Sequence, residues 1–277
     1  MGVLTLCKRN GKRAGHWPGD FLARQQFMKP LSLQRRRGFT RTELVVVIVV
    51  IAVLLSMFLP STIKVKGKAQ RIDCVNNLKE IGVANLIWAG DHGDAVPKSK
   101  LMPSGGLAAL FAGTNAGTNC WAYYAVLQEF GESPKILLCP ADERKAAAYF
   151  AKGGATNAAG TGVFKDNTTV SYFFSPDAND VFPQSIAFGD RNLGPGTVPH
   201  DDYGFSPANG QGNDVVINGP VCWSLKMHSA GNTAGAGNIL LGDGSAQQIT
   251  SASFNKFWLT NAMTASTNHH GIRLVFP

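Results

Sequence analysis

The sequence predicts an α+β fold: a long N-terminal transmembrane helix continuing into an exported domain with an antiparallel sheet and large loops. Three observations predict it. An unbroken apolar run follows a basic stop at residues 35–37. An apolar stripe at three-and-four spacing continues past that run to residue 86. Short strand-like segments then alternate with Gly-rich stretches as far as residue 277. One long helix followed by strands is the pattern of a helix laid on a sheet.

The charge is distributed unevenly. Nine of the 26 Lys and Arg residues and one of the 18 acids fall in residues 1–38, so this leader carries the whole net charge of +8. The remaining 17 basic and 17 acidic residues balance. The body therefore lacks the basic footprint of a nucleic-acid binder, and no nucleic-acid partner is expected. Residues 1–27 hold no apolar run. With Met28 as a second start, they read either as a mis-assigned start or as an unusually long leader.

Residues 39–60 are the predicted transmembrane helix. Phe39 to Leu59 is 21 residues, about 31 Å of helix at 1.5 Å per residue, against a hydrocarbon core of about 30 Å. The preceding arginines would hold the N-terminus in the cytoplasm and send the body outward. A cleaved secretory signal fits less well, because bulky Ser56-Met-Phe-Leu-Pro60 stands where small residues are needed. Glu43 is the anomaly. A carboxylate is costly in a membrane helix and asks for a partner. Cleavage after Gly38 would free an α-amino group on Phe39 about one turn away.

Gly38-Phe39-Thr40-Arg41-Thr42-Glu43, set between a basic leader and an apolar helix, resembles the prepilin-type signal of type IV pilins and type II secretion pseudopilins. The resemblance implies a pilin-like fold. It also implies cleavage by prepilin peptidase between Gly38 and Phe39, N-methylation of Phe39, and a subunit-registering role for Glu43. Pro60 stands where many relatives carry a kinking proline, and proline interrupts the helix ladder.

Residues 61–90 are the predicted amphipathic continuation, with Val65, Ala69, Ile72, Val75, Leu78, Gly82 and Leu86 as its apolar face. Lys64, Lys66, Lys68 and Arg71 read as a solvated or headgroup-contacting face. Asp91-His-Gly-Asp94 and Pro97 end the helix, with His92 in the loop. The globular domain is residues 91–277. Val170–Phe174 and Ser185–Phe188 read as strands, Ser253–Leu259 as a short helix and Ile272–Phe276 as an edge strand. Asn238–Leu241 and Ala246–Ile249 read as a hairpin, with Asp243-Gly244 supplying the tight turn. The stretches at residues 113–119, 153–162 and 231–237 read as Gly-rich surface loops.

The pseudopilin resemblance extends to Cys74-Val-Asn-Asn-Leu-Lys-Glu-Ile-Gly82, Leu137-Leu-Cys-Pro-Ala-Asp142, Ser171–Phe174 and Phe188–Asn192, a pattern common in planctomycete and verrucomicrobial bacteria. Many such relatives carry a His-x9-Asp-Gly motif. His228, Asp243 and Gly244 match it with a longer spacer, and the turn is the simpler reading of Asp243-Gly244. Four cysteines follow the leader, which permits three pairings in an exported domain. The family-like motifs favour Cys74 with Cys139, which leaves Cys120 with Cys222.

No nucleophile elbow, HExxH or CxxC spacing points to an enzyme or a zinc site. Asp142-Glu143 and Asp190-Arg191 read as surface or hydrogen-bonding groups. Cofactors are expected to be none, with calcium the one candidate, at loop acids Asp177, Asp180, Asp201, Asp202 and Asp214. The expected function is a non-enzymatic, pseudopilin-like structural subunit of a type II secretion or type IV pilus-like filament. Its expected partners are prepilin peptidase, other pseudopilin subunits, secretion platform proteins and the inner membrane. Its expected location is the inner membrane, with the C-terminal domain periplasmic or extracellular. The alternative is a membrane-anchored polysaccharide-binding protein, with Trp88, Trp121, Trp223 and Trp258 as an aromatic platform.

Overall fold

A computed structural model describes residues 38–94, 120–130, 133–150, 162–178, 181–229, 234–261 and 271–277, with backbone alone at 57–66, 129–130 and 257–258. Residues 1–37 of the predicted leader, most of the Gly-rich stretches, Pro97, Asp180 and the side chains of Pro60 and Trp258 lie outside the described residues; the backbone at residue 60 is helical and continuous with its neighbours. The chain divides into two compact units, Met1–Ala52 and Val53–Pro277.

Helix α1, Arg41–Asp91, begins in the first unit and ends in the second. Among the described residues, no helix is long and apolar enough to cross a membrane. The predicted transmembrane span is corrected accordingly. The apolar side chains described run from Leu44 to Leu55. That is about 18 Å of helix, well short of a hydrocarbon core of about 30 Å. A polar first turn, Arg41-Thr42-Glu43, precedes them.

The second unit is sheet-rich. Its main sheet has six strands in the order β6-β10-β3-β4-β8-β9, every pair antiparallel. These are β3 (Tyr172–Phe174), β4 (Ile186–Asp190), β6 (Asn213–Ile217), β8 (Ala236–Leu241), β9 (Ala246–Thr250) and β10 (Ile272–Phe276). Two small pairs complete it: β1 (Tyr149–Phe150) beside β2 (Val163–Phe164), and β5 (Leu193–Pro195) beside β7 (Val221–Trp223). A short helix α2, Cys120–Ala125, and a helical turn α3, Ser251–Ser253, running into Phe254–Leu259, lie outside the sheet.

Both faces of the sheet are covered. Tyr172 and Phe174 of β3, Leu240 of β8 and Val275 of β10 join a core with Leu78, Ile81 and Trp88 of α1 and Tyr123 and Tyr124 of α2. Their immediate neighbours Phe173, Ile239, Leu274 and Phe276 turn to a second core with Trp223 and Phe254. A strand buried on both faces reads as a near-continuous apolar run rather than a polar/apolar alternation. That is why Ile272–Phe276 looked weakly patterned and was expected at the edge. It is interior instead, paired to β6 along its length and to β3 through Val275 and Phe174.

The buried face of α1 is Cys74, Leu78, Ile81, Ala84 and Trp88. The predicted stripe shares Leu78 and Gly82 with it, whereas Ile72 and Leu86 are exposed. This segment carries apolar residues on two sides, and the sheet takes the side where Gly82 leaves room for the Leu240 side chain. A Cβ on Gly82 would stand 2.7 Å from Leu240 Cδ2. The helix ends as expected. Asp94 N–H donates to the Ala89 carbonyl at 2.8 Å across Gly93 at φ 72°, a Schellman closure. His92 stacks on Trp88 with ring centroids 3.8 Å apart.

Candidate functional site

The start of α1 is the first place where chemistry gathers. Thr40 N–H donates to Glu43 Oε2 at 2.8 Å, and Glu43 N–H donates to Thr40 Oγ1 at 3.3 Å. This is a reciprocal capping box, Thr-x-x-Glu, which satisfies two donors that a helix start otherwise leaves open. Phe39 is 84 % exposed, and a Cβ on Gly38 would meet nothing within 4 Å. Among the described residues, nothing packed around residue 38 requires glycine there. Behind the cap, eleven large aliphatic side chains from Leu44 to Leu55 are each 47–61 % exposed.

The second place is a buried polar cluster where α1 meets the sheet. Cys74 of α1 and Cys139 form a disulfide, their Cα atoms 5.2 Å apart across 65 residues of sequence. Closing such a loop is worth about 4 kcal/mol in the chain-entropy model. His228 Nε2 lies 3.3 Å from Cys139 Sγ and 3.4 Å from Asp190 Oδ2. His228 sits in a turn made by Met227 in the left-handed region at φ 62°, a conformation that costs a non-glycine residue about 1 kcal/mol or more. Asn192 braces that turn through Lys226 O at 2.9 Å and Ala236 O at 3.1 Å.

Burial drives the electrostatics here. It raises Asp190 to about 7, against the opposing pull of the Asn238 N–H and the charge of Arg71. It lowers His228 to about 4, helped by the same Arg71. At 3.4 Å the His228–Asp190 pair has ion-pair spacing, but the imidazole is neutral at pH 7, so the contact is dipolar. Asp190 Oδ2 accepts from Asn238 N and Nδ2, both at 2.8 Å. Arg71 donates in turn to Asn238 Oδ1 at 3.3 Å and to Gly237 O at 3.1 Å. The expected solvated role of Arg71 is thereby corrected: it pins α1 to β8.

Asp142 and Arg191 form a separate buried pair, 0 % and 2 % exposed at their side chains. Arg191 Nε and Nη2 donate to the two carboxylate oxygens at 2.7 and 2.8 Å, a bidentate fork. Burial alone would raise Asp142. The hydrogen bonds and charge of Arg191, with Ser171 Oγ and the Arg144 N–H, outweigh that and hold it below the ordinary carboxylate range. The Arg191 guanidinium also lies 3.4 Å from the centroid of the Tyr203 ring. Of the two expected readings, surface or hydrogen-bonding, Asp142, Asp190 and Arg191 take the second, each with a partner inside. Glu143 does reach outward, to Lys226 Nζ at 2.8 Å.

Other predicted residues do not come together. Cys120 and Cys222 are free and buried, which corrects their expected pairing. Cys120 Sγ points to Val275 O in the helix-side core, whereas Cys222 Sγ meets Ser251 Oγ at 3.2 Å. Asp243 caps the β8–β9 turn by accepting from Ser245 N at 2.8 Å, and Gly244 adopts φ 80°. The family-like motif thus splits, with Asp190 rather than Asp243 meeting His228. Among the loop acids, Asp214 pairs with Arg273, Asp177 accepts the Arg273 N–H, and Asp202 accepts the Gly204 N–H. Trp88 and Trp223 are buried at 2 % and 0 %, so they cannot form an aromatic platform. Among the described residues, the group of three His, Cys, Asp or Glu side chains whose ligating atoms converge is Cys74, Cys139 and His228, all within 4.8 Å. Because one nitrogen of His228 faces both sulfur and carboxylate, the arrangement is not a nucleophile–base–acid relay, which needs both ring nitrogens.

No protein-family model, curated protein or solved structure matches the chain.

Proposed function

We propose that this protein is a pseudopilin-like structural subunit of a type II secretion or type IV pilus-like filament and acts by assembly rather than turnover. The observation that carries the reading is the bare apolar stretch of α1 behind an exposed Gly38–Phe39 bond. At about half exposure, each large aliphatic side chain forgoes roughly half of the 1.5–3 kcal/mol that full burial gives. Eleven of them together forgo roughly 8–16 kcal/mol, comparable to the whole stability of an ordinary domain, about 5–15 kcal/mol. A chain that keeps such a stretch has a use for it, and the neighbouring helices of a filament core would cover it.

Among the described residues, glycine at residue 38 has no steric cause, which is consistent with a requirement imposed by prepilin peptidase. Cleavage there would make Phe39 the methylated N-terminus. Glu43 would then accept the amine of an adjacent subunit while still capping its own helix, since a carboxylate accepts several hydrogen bonds. Secretion platform proteins would drive assembly from the inner membrane. The sheet domain would lie on the exported side, where a disulfide persists.

N-terminal mass spectrometry of the protein from its native host tests the processing step. The expected result is a chain beginning at methylated Phe39. A chain beginning elsewhere would leave the filament reading without its first step.

A further inference from the structure

We propose that Cys74, Cys139 and His228, in their reduced state, form a binding site for one zinc-like divalent ion, with Asp190 beside the fourth coordination position, and that the disulfide is the metal-free alternative of the same site. The proposal does not rest on the filament reading.

Geometry supports it first. Tetrahedral zinc with bonds of about 2.3 Å to sulfur and 2.0–2.1 Å to nitrogen sets the sulfur–nitrogen edge near 3.5 Å. Cys139 Sγ and His228 Nε2 already stand 3.3 Å apart. Asp190 Oδ2 stands 3.4 Å from His228 Nε2 but lies outside the group of ligand atoms within 4.8 Å of one another, so it faces the site as a neighbouring charge rather than as a ligand already in place. The two thiolates would need to stand about 3.8 Å apart, within reach of cysteines whose Cα atoms are 5.2 Å apart.

Unfinished hydrogen bonding is the second support. Asp190 Oδ1 is buried without a hydrogen-bond partner, on a side chain 0 % exposed. Such groups are rare and costly unless something else uses them. A cation held at His228 Nε2 gives the Asp190 carboxylate a positive charge to face.

Charge is the third support. Two thiolates and one carboxylate balance a divalent cation and the nearby Arg71, whose charge acts on both Asp190 and His228. A buried site of that composition is neutral. The disulfide state is neutral as well, with Asp190 facing Arg71. The exchange between the two states balances. The metal dithiolate, a disulfide oxidant and two protons give the Cys74–Cys139 bond, two molecules of the reduced thiol and the released ion. Because the chain is synthesised with thiols, metal binding would precede oxidation.

The test uses the full chain in mild detergent, carrying Cys7→Ala, Cys120→Ala and Cys222→Ala so that two thiols remain. It is reduced with a phosphine and titrated with Co2+ alone. The expected result is one equivalent bound, with tetrahedral visible absorption and sulfur-to-cobalt charge transfer, displaced by Zn2+ and absent from the oxidised chain. His228→Ala should weaken binding at least about tenfold, and Asp190→Asn by about 10–100-fold. Cys74→Ser should halve the charge-transfer band. A reduced chain giving no tetrahedral spectrum would overturn the proposal, as would one whose spectrum survives in the Cys74→Ser/Cys139→Ser variant or is unchanged in His228→Ala. Should reduction loosen the fold, the melting temperature decides: a rise on adding Zn2+ supports the site, and no rise overturns it.

Discussion

The two ends of α1 use apolar residues in opposite ways. From Leu44 to Leu55 the aliphatic side chains ring the whole helix, and every large one is exposed. From Cys74 to Trp88 the buried residues follow one face at three-and-four spacing, and that face is fixed by a disulfide, by Arg71 and by the close approach of Gly82 to Leu240. The first stretch has composition without a partner; the second has a partner that selects one of two apolar sides. Hydrophobicity alone therefore does not say what covers a helix. The covering element does, and for residues 44–55 it must come from beyond the described chain.

That contrast is open to attack by mutation. The largest effect is expected in the buried network that supports the anchored end. Asp142→Ala strands Arg191 and should cost about 3–5 kcal/mol in urea unfolding. The folded pKa of Asp142 is depressed, so its contribution is fully present above the unfolded value of about 4 and is lost as pH falls through the folded value. Parent and Asp142→Asn chains should therefore converge in strong acid and differ at pH 7. Replacing Cys74 and Cys139 together with alanine should cost about 4 kcal/mol. Gly189→Ala drives a Cβ into the Phe173 ring and should cost about 1–3 kcal/mol through overpacking. The smallest effect belongs to the bare end: Val49→Ala should change the unfolding free energy of the sheet domain by less than about 0.5 kcal/mol. A large loss there would mean the apolar stretch is already packed within its own chain.

Part of this was legible in the sequence. The long helix, its closure at Asp91–Asp94 and the Asp243-Gly244 hairpin follow from local rules that act over a few residues. The capping box was equally legible, since Thr40-x-x-Glu43 before an apolar run is its signature. As a charge in an apolar setting, Glu43 also reads as a group in need of a partner, and the Thr40 cap supplies one. The Cys74–Cys139 bond came from resemblance, because four cysteines alone leave three pairings open. The interior position of β10 was hidden because its partner β6, Asn-Asp-Val-Val-Ile, is only weakly apolar. The cluster of Cys74, Cys139, His228 and Asp190 was not legible at all. Its members come from α1, a loop, a left-handed turn and β4, at spacings no metal motif describes, and only the fold brings them together.

Glu43 is where the capping and registering roles meet, and one substitution separates them. Glutamine at this position still completes a capping box but cannot neutralise an amine. Incorporation of Glu43→Gln protein into filaments, scored against parent protein with processing verified by mass, is the most direct measurement. The filament account predicts normal cleavage at Gly38 and loss of incorporation. Filaments formed at the parent level would show that Glu43 serves its own helix alone, and would contradict the account.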